Sequence, residues 1–403
     1  MRNITVVGGG FSGLVTAYYL VKLGFKVSIS ESSSGVGGML KTIRTSHGLV
    51  ETAANGIRNS ARLEAMCADI GVPLQATRSQ SRARYIYRGR ARLWPLKISE
   101  SLRLIFGTTA NARRLRPEPF ETIADWGQRV LGAGATDYFL SPALGGIYAG
   151  DPKLLSASLI FRKTRLSDGL CAAPHSRPQV RGTVAPPEGM QQLIDGLCTF
   201  LRQAGVQFNL NQSERALAGQ PTVICTPPRA ASDYLREISP ELSNQLQGIE
   251  MLPLVTATCF YSSKSEKLNG FGCLFPRGEG FRALGVLFNT CIFEGRGPAH
   301  SETWIFGGAL DREVTRLSKE ELSRLIADER RRVRKVDDEL LAMHSTYWPE
   351  AVPHYSINLE RVLTNLPPLP HDVALVGNYL GGLGLAKIID RAAHVASQFG
   401  RAA

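Results

Sequence analysis

The stretch Ile4-Thr5-Val6-Val7-Gly8-Gly9-Gly10-Phe11-Ser12-Gly13, running on into Leu14-Val15-Thr16-Ala17-Tyr18-Tyr19-Leu20, decides how the rest of the chain is read. Residues 4–7 are apolar and β-branched, which suits a buried strand, and the residues after Gly13 are spaced for an apolar helix. The glycines between them match the spacing GxGxxG. Gly8 serves the tight turn, Gly10 lets the backbone come close to a pyrophosphate, and Gly13 lets helix and strand pack. The start of the helix then offers unpaired N–H groups to the phosphates. Gly9, Phe11 and Ser12 complete the turn.

Two neighbouring features narrow the ligand. Residues 26–30 read as a second strand ending in Glu31, 18 positions after Gly13. An acid there, with Ser32 beside it, can accept hydrogen bonds from an adenosine ribose. A second glycine cluster follows at once in Gly35-Val36-Gly37-Gly38-Met39-Leu40-Lys41-Thr42. A plain NAD-binding unit has no need of it, whereas a two-dinucleotide flavin site does, because a Cβ would collide with the flavin side of the pyrophosphate. FAD is therefore the expected cofactor.

The 403 residues are enough for two or three domains, and 43% hydrophobic content is ordinary for a globular chain. No apolar run reaches the length of a membrane span, and the first strand starts too early for a signal peptide. The expected location is the cytoplasm, including a peripheral position on the cytoplasmic face of a membrane. The seven cysteines and seven histidines are scattered without metal-ligand spacing, so no metal is expected. The basic charge is concentrated. Between Arg78 and Arg116 there are eleven basic residues and one acid, Glu100, a net +10 out of the chain's +12. Such a block suits an anionic lipid surface or a polycarboxylate ligand. No nucleic-acid-binding motif accompanies it.

The pattern along the chain suggests an α/β protein with an FAD-binding Rossmann-like domain of the two-dinucleotide type, a sheet-based substrate domain and a helical inserted domain. The flavin domain is assigned 1–77, 181–228 and 366–403. Residues 78–180 form the helical, basic, membrane-associating and substrate-lining insert, and 229–365 the substrate domain. Expected helices cover 62–70, 189–205 and, strongly charged, 319–341; expected strands cover 254–261 and 284–289. At the end, Val373-Ala374-Leu375-Val376-Gly377 enters Asn378-Tyr379-Leu380-Gly381-Gly382-Leu383-Gly384-Leu385 and a helix. A glycine turn at a helix start suits the pyrimidine end of a flavin, where negative charge develops on reduction.

Four later stretches carry a family resemblance: Leu144-Gly145-Gly146-Ile147-Tyr148-Ala149-Gly150-Asp151-Pro152, Gly270-Phe271-Gly272-Cys273-Leu274-Phe275-Pro276-Arg277, Phe293-Glu294-Gly295-Arg296-Gly297-Pro298 after residues 284–289, and Trp348-Pro349-Glu350-Ala351-Val352-Pro353-His354-Tyr355. With them the whole chain resembles the protoporphyrinogen and coproporphyrinogen oxidases, within the flavin monoamine oxidase class. The resemblance implies oxidation of a porphyrinogen to a porphyrin in haem biosynthesis, protoporphyrinogen IX being favoured, through FAD with oxygen as acceptor. It also implies that Gly38, Met39, Lys41, Thr42, Ala53, Ala54, Asn55, Gly56, Trp348, Gly377, Asn378, Leu383, Gly384 and Leu385 line the FAD site beyond the first turn. Lys97, Arg103 and Lys387 are the candidates for substrate carboxylates; no further catalytic residue is assigned, the chemistry being the flavin's.

The chain departs from the family pattern in three places. Ala53-Ala54-Asn55-Gly56 lacks the family's acid, Ala386-Lys387 replaces a Pro-Asp pair, and residues 209–222 leave little room for a small extra sheet. Two alternatives stay open: another FAD enzyme of desaturase or sugar-nucleotide mutase type, and a non-catalytic FAD-stabilised protein that binds porphyrin or membrane. The sequence leaves the oligomeric state open, a homodimer included.

Overall fold

The computed structural model describes residues 2–109, 115–161, 178–212, 219–262 and 268–401. Arg113, Arg114 and Cys171 lie outside them.

The first sheet has five parallel strands, in the spatial order Gln207–Leu210, Lys26–Glu31, Asn3–Val7, Thr222–Ile224 and Val373–Leu375. Asn3–Val7 is central, with Thr5 opposite Ser28 on one side and Thr222 on the other. Strands covered on both faces read as continuous apolar runs, and Ile4, Val6, Ile29, Val223 and Leu375 are all buried. Helix Phe11–Lys22 packs between Gln191–Gln203 and Leu385–Arg401, and the apolar faces of all three join one core with the sheet. The chain thus leaves this sheet twice and returns to complete it.

The second sheet has seven strands: Leu340–Pro353, Met251–Tyr261, His300–Gly307, Gly285–Leu287, Gly272–Leu274, Arg84–Tyr87 and Ala91–Arg92. All neighbours are antiparallel except Gly272–Leu274 beside Arg84–Tyr87. One face lies under the charged helix Lys319–Arg334, whose start is fixed by a capping box between Ser318 and Glu321. Below that helix, Glu302 is fully buried and paired with Arg330 and Arg334, with His300 and Trp304 on the same carboxylate.

A third, helical lobe has its own core from Ile123, Trp126, Leu144, Leu155, Leu235, Leu242, Tyr355 and Leu359. It contains a π-helical turn, Thr136–Leu140, leading into Ser141–Tyr148.

Several expectations need correction. The charged helix stops at Arg334 instead of 341, because Lys335 turns into the left-handed region (φ 55°) and the chain then enters the strand Leu340–Pro353, which begins inside the expected helix. Residues 84–92 do not belong to the helical insert; their hairpin extends the second sheet through pairing with Gly272–Leu274. The helices Pro228–Leu235 and Pro240–Gln247, assigned to the substrate domain, bury their leucines in the helical lobe. At the edge of the first sheet Gln207–Leu210 pairs with Lys26–Glu31, and part of the short stretch at 209–222 lies outside the described residues. Among the described residues, no helix is long and apolar enough to cross a membrane.

Candidate flavin site

The site begins where the central strand ends. Gly8 has φ +103°, which L-residues other than glycine seldom adopt, and its N–H donates to the Ser30 carbonyl at 2.7 Å. An added Cβ on Gly13 would lie 1.8 Å from the Gly8 carbonyl oxygen, so only glycine lets the helix cross the strand end this closely. Gly10 is the N-cap of Phe11–Lys22 and supplies no side chain to it; the first turn also carries no acidic residue. Helix starts are normally satisfied by a capping oxygen, and an anion is the alternative.

The second glycine cluster lies against the first. The Gly37 N–H donates to the Gly9 carbonyl at 2.8 Å, and Gly10 and Gly37 form a parallel bridge. A Cβ on Gly38 (φ +60°) would approach the Gly10 Cα to 3.2 Å, whereas a Cβ on Gly10 would meet only the Gly38 Cα, at 4.0 Å. Gly10 therefore faces open space bounded by bare backbone, which suits a pyrophosphate. Glu31 closes this end: Oε2 accepts from the Gly9 N–H at 2.7 Å, and Oε1 accepts from the Ser33 N–H at 2.8 Å and the Ser33 hydroxyl at 2.7 Å. Its carboxylate is thus fixed beside the turn, at the sheet edge where a ribose would lie; Ser32 is exposed next to it.

The loop at residues 52–56 is held from three sides. The Thr52 hydroxyl donates to the carbonyls of Met39 (2.7 Å) and Lys41 (3.0 Å). Its carbonyl accepts from the Trp348 indole N–H at 2.8 Å and the Thr256 hydroxyl at 3.2 Å, tying the loop to the second sheet. Trp348 thus sits against this loop, although through its N–H rather than through its ring face. Ala53, Ala54 and Asn55 are half-buried, and a Cβ on Gly56 would touch Thr183, Val184 and Phe293. Thr42 is committed to structure: its hydroxyl donates to Glu51 at 2.7 Å and accepts from the Gln191 N–H at 2.9 Å.

At the third edge, Gly377 is packed against the Tyr379 ring, the Asn378 carbonyl accepts from the Tyr355 hydroxyl at 2.5 Å, and Gly381 and Gly384 both have positive φ. Leu383 leans on the helical core, and Leu385, the first residue of its helix, on the nucleotide-domain core. The stem of Lys387 lies over Gly382, and its ammonium partly offsets the burial that pushes the Asp390 carboxyl up.

Lys97 and Arg103 are not brought to this cradle. Lys97 precedes, and Arg103 lies on, the outer helix Ile98–Thr109, which has no buried residue; Arg103 rests on Gly132. The acid of the basic stretch is taken up by Arg88, whose two terminal nitrogens bond both Glu100 oxygens (2.6 and 3.0 Å) and whose guanidinium stacks 3.7 Å from the Tyr138 centroid. These bonds hold the Glu100 carboxyl down at about 2.

Sequence reasoning also missed Glu51 and Arg296. Both are buried; Arg296 Nη1 donates to Glu51 Oε1 at 2.9 Å across 245 positions, and the Met190 N–H donates to the same oxygen at 3.1 Å. Burial pushes the Glu51 carboxyl up, against the hydrogen bond from Thr42 and the charge of Arg296. The described cysteines are buried thiols, Cys67 being pushed up to about 12 by burial, and among the described residues no group of metal-ligating side chains occurs.

Three comparisons bear on this geometry. The family model described as flavin containing amine oxidoreductase matches residues 11–382. Protoporphyrinogen oxidase 2, chloroplastic/mitochondrial, of Arabidopsis thaliana is 26% identical over 96% of this chain and 92% of its own length. Among solved structures, a provisionally assigned protoporphyrinogen oxidase from Exiguobacterium sp. 255-15 superposes with a TM-score of 0.78 at 17% identity, covering 100% of this chain and 99% of its own. Cyclohexylamine oxidase from Brevibacterium oxydans IH-35A gives 0.75 at 16%, covering 100% and 99%.

Proposed function

Because the chain belongs to the flavin containing amine oxidoreductase family, and is therefore an FAD-dependent oxidoreductase, we propose that it oxidises a porphyrinogen to the porphyrin. The observation that carries this reading is the near end-to-end similarity to the Arabidopsis protoporphyrinogen oxidase, with 92% of that protein's length covered. Protoporphyrinogen IX is the favoured substrate.

Bound FAD would supply a two-electron acceptor, three turnovers removing the six hydrogens that separate porphyrinogen from porphyrin, with three dioxygen molecules leaving as hydrogen peroxide. The protein's residues have the remaining tasks. The turn at 8–13 presents the helix start to the pyrophosphate, and Glu31 orients the ribose. Trp348 and Thr256 fix the loop at 52–56 from the substrate side, so the surface facing the ring system is set before substrate arrives. The positive end of helix Leu385–Arg401 would favour negative charge on a flavin held beside it.

A peripheral place on an anionic membrane accompanies this reading. Ile98 (83% exposed), Leu102, Ile105 and Phe106 (68%) share the outer face of one helix with Leu93 and Trp94 nearby, and Arg92, Lys97 and Arg103 are interleaved. Apolar side chains flanked by cations suit an acyl boundary under acidic headgroups. The outward position of Lys97 and Arg103 favours lipid phosphate over a substrate carboxylate.

The test is aerobic turnover: the FAD-loaded protein given protoporphyrinogen IX, with porphyrin fluorescence and peroxide followed together. Porphyrin formed above the autoxidation rate, with three peroxides per porphyrin, supports the reading. No acceleration with either protoporphyrinogen IX or coproporphyrinogen III contradicts it.

A further inference from the structure

Beside the loop at residues 52–56 lies a cavity of about 10 Å³ bounded by Glu51, Asn55, Asn289, Ile292, Phe293 and Arg296. Two polar atoms there are buried and, among the described residues, have no hydrogen-bond partner: Arg296 Nη2 and Asn289 Oδ1. Both side chains are more than nine-tenths buried. Each is held by its other end. Arg296 Nη1 is on Glu51 at 2.9 Å, and Asn289 Nδ2 donates to the Thr303 hydroxyl at 2.9 Å, which is in turn 2.9 Å from the Thr258 hydroxyl. Neither is therefore free to turn towards another partner without breaking a bond.

A buried donor on a cation and a buried amide oxygen, each left without a partner, both carry a desolvation penalty that nothing offsets. One donates and the other accepts, so a group that accepts from the first and donates to the second satisfies both. The space corresponds to the ~10–15 Å³ taken by a single water centre, too little for a carboxylate or a phosphate. We propose that this cavity is a binding site for one ordered water, which accepts from Arg296 Nη2, donates to Asn289 Oδ1, and clamps the flavin-bearing loop to the second sheet.

The clamp completes a buried polar chain from Thr258 through Thr303, Asn289, the water and Arg296 to Glu51, the residue directly before Thr52. Glu51 is also fixed by Thr42 and the Met190 N–H. The loop is thus anchored to the second sheet twice, through Trp348 on its carbonyl and through the water at its base. The inference rests on FAD lying against residues 52–56.

Two measurements on the FAD-loaded protein test it separately from that placement. The first is a crystal structure at high resolution. A water within hydrogen-bond distance of both Arg296 Nη2 and Asn289 Oδ1 is expected wherever the flavin lies; a dry cavity, or both Arg296 terminal nitrogens on Glu51, overturns the proposal. The second is FAD affinity. Asn289→Leu removes the acceptor and fills the space, and is expected to weaken FAD binding three- to tenfold. Asn289→Ser keeps an oxygen and leaves room for water, and is expected to stay within about twofold of the unaltered protein. Unchanged affinity in Asn289→Leu, or an equal loss in both variants, overturns the clamp, since a purely structural asparagine would lower thermal stability without separating the two in FAD affinity.

Discussion

Replacing Gly10 by alanine separates cofactor binding from folding. The residue caps helix Phe11–Lys22 with φ −70° and ψ −179°, a conformation alanine adopts freely, and the new methyl would meet no protein atom nearer than the Gly38 Cα at 4.0 Å. Alanine is a poorer N-cap than glycine by roughly 0.5–1 kcal/mol, and the less flexible unfolded chain returns ~0.4–1 kcal/mol. Stability of the FAD-free protein should therefore stay within about 0.5 kcal/mol. The methyl projects into the space assigned to the pyrophosphate, where it would remove at least one charge-assisted hydrogen bond of ~1.5–3 kcal/mol. At 1.4 kcal/mol per decade this weakens FAD about 10- to 100-fold. Two controls bracket it. Gly35→Ala meets nothing and should change neither quantity, whereas Gly13→Ala would place its Cβ 1.8 Å from a carbonyl oxygen and should lose both. The assay is FAD titration by flavin fluorescence quenching, with urea unfolding of the FAD-free protein alongside. If Gly10→Ala binds FAD within threefold of the unaltered protein, the pyrophosphate does not lie at Gly10.

Three further outcomes follow from other parts of the fold. Ala149 ends its helix in the left-handed region (φ 52°), which costs a non-glycine residue ~1–2 kcal/mol. Ala149 is also only 4% exposed and packs with Leu252 and Leu284, so Ala149→Gly relieves the strain but gives up ~0.8 kcal/mol of methyl burial and ~0.4–1 kcal/mol to unfolded-chain entropy; stability should stay within about 1 kcal/mol, and a larger fall by urea unfolding would contradict this balance. Trp348→Phe removes one of the two donors to the Thr52 carbonyl, a loss of ~0.5–1.5 kcal/mol; FAD should bind about two- to tenfold more weakly, and unchanged affinity would show that the loop does not depend on this bond. Burial alone would raise the Glu302 carboxyl, but Arg334, His300 and Arg330 outweigh it and hold it at about 2. Because its folded pKa lies below its unfolded one, its contribution is complete above about pH 4.5 and is lost as pH falls towards 2. Glu302→Gln leaves the buried Arg334 without its carboxylate partner, while Arg330 keeps Asp338 at 2.7 Å, and should lower stability at neutral pH by roughly 3–5 kcal/mol, with a shallower decline between pH 4.5 and 2; an unchanged acid profile would refute this role.

The parts of the site made by local backbone were legible in the sequence. Gly8, Gly10, Gly13 and Glu31 work through spacing along one strand-turn-helix, and the turn at 377–385 repeats the pattern at a second strand end. What sequence spacing hides is pairing at long range. Arg84–Tyr87 looks like part of the helical insert until Gly272–Leu274 pairs with it. Leu340–Pro353 carries two prolines and alternates buried with exposed residues at the sheet edge, so it lacks the apolar run of a central strand, and with it Trp348 loses its context. Glu51 and Arg296 have no local signal, since their pairing joins residues 245 positions apart. Lys97 and Arg103 stand out in the sequence by charge alone, and charge does not say which way a helix faces.

The most direct test of the account is anaerobic mixing of the FAD-loaded protein with protoporphyrinogen IX and, separately, with coproporphyrinogen III in a stopped-flow spectrometer. The account predicts bleaching of the oxidised flavin band together with the appearance of porphyrin fluorescence, faster with protoporphyrinogen IX. A flavin band that neither compound bleaches would contradict it.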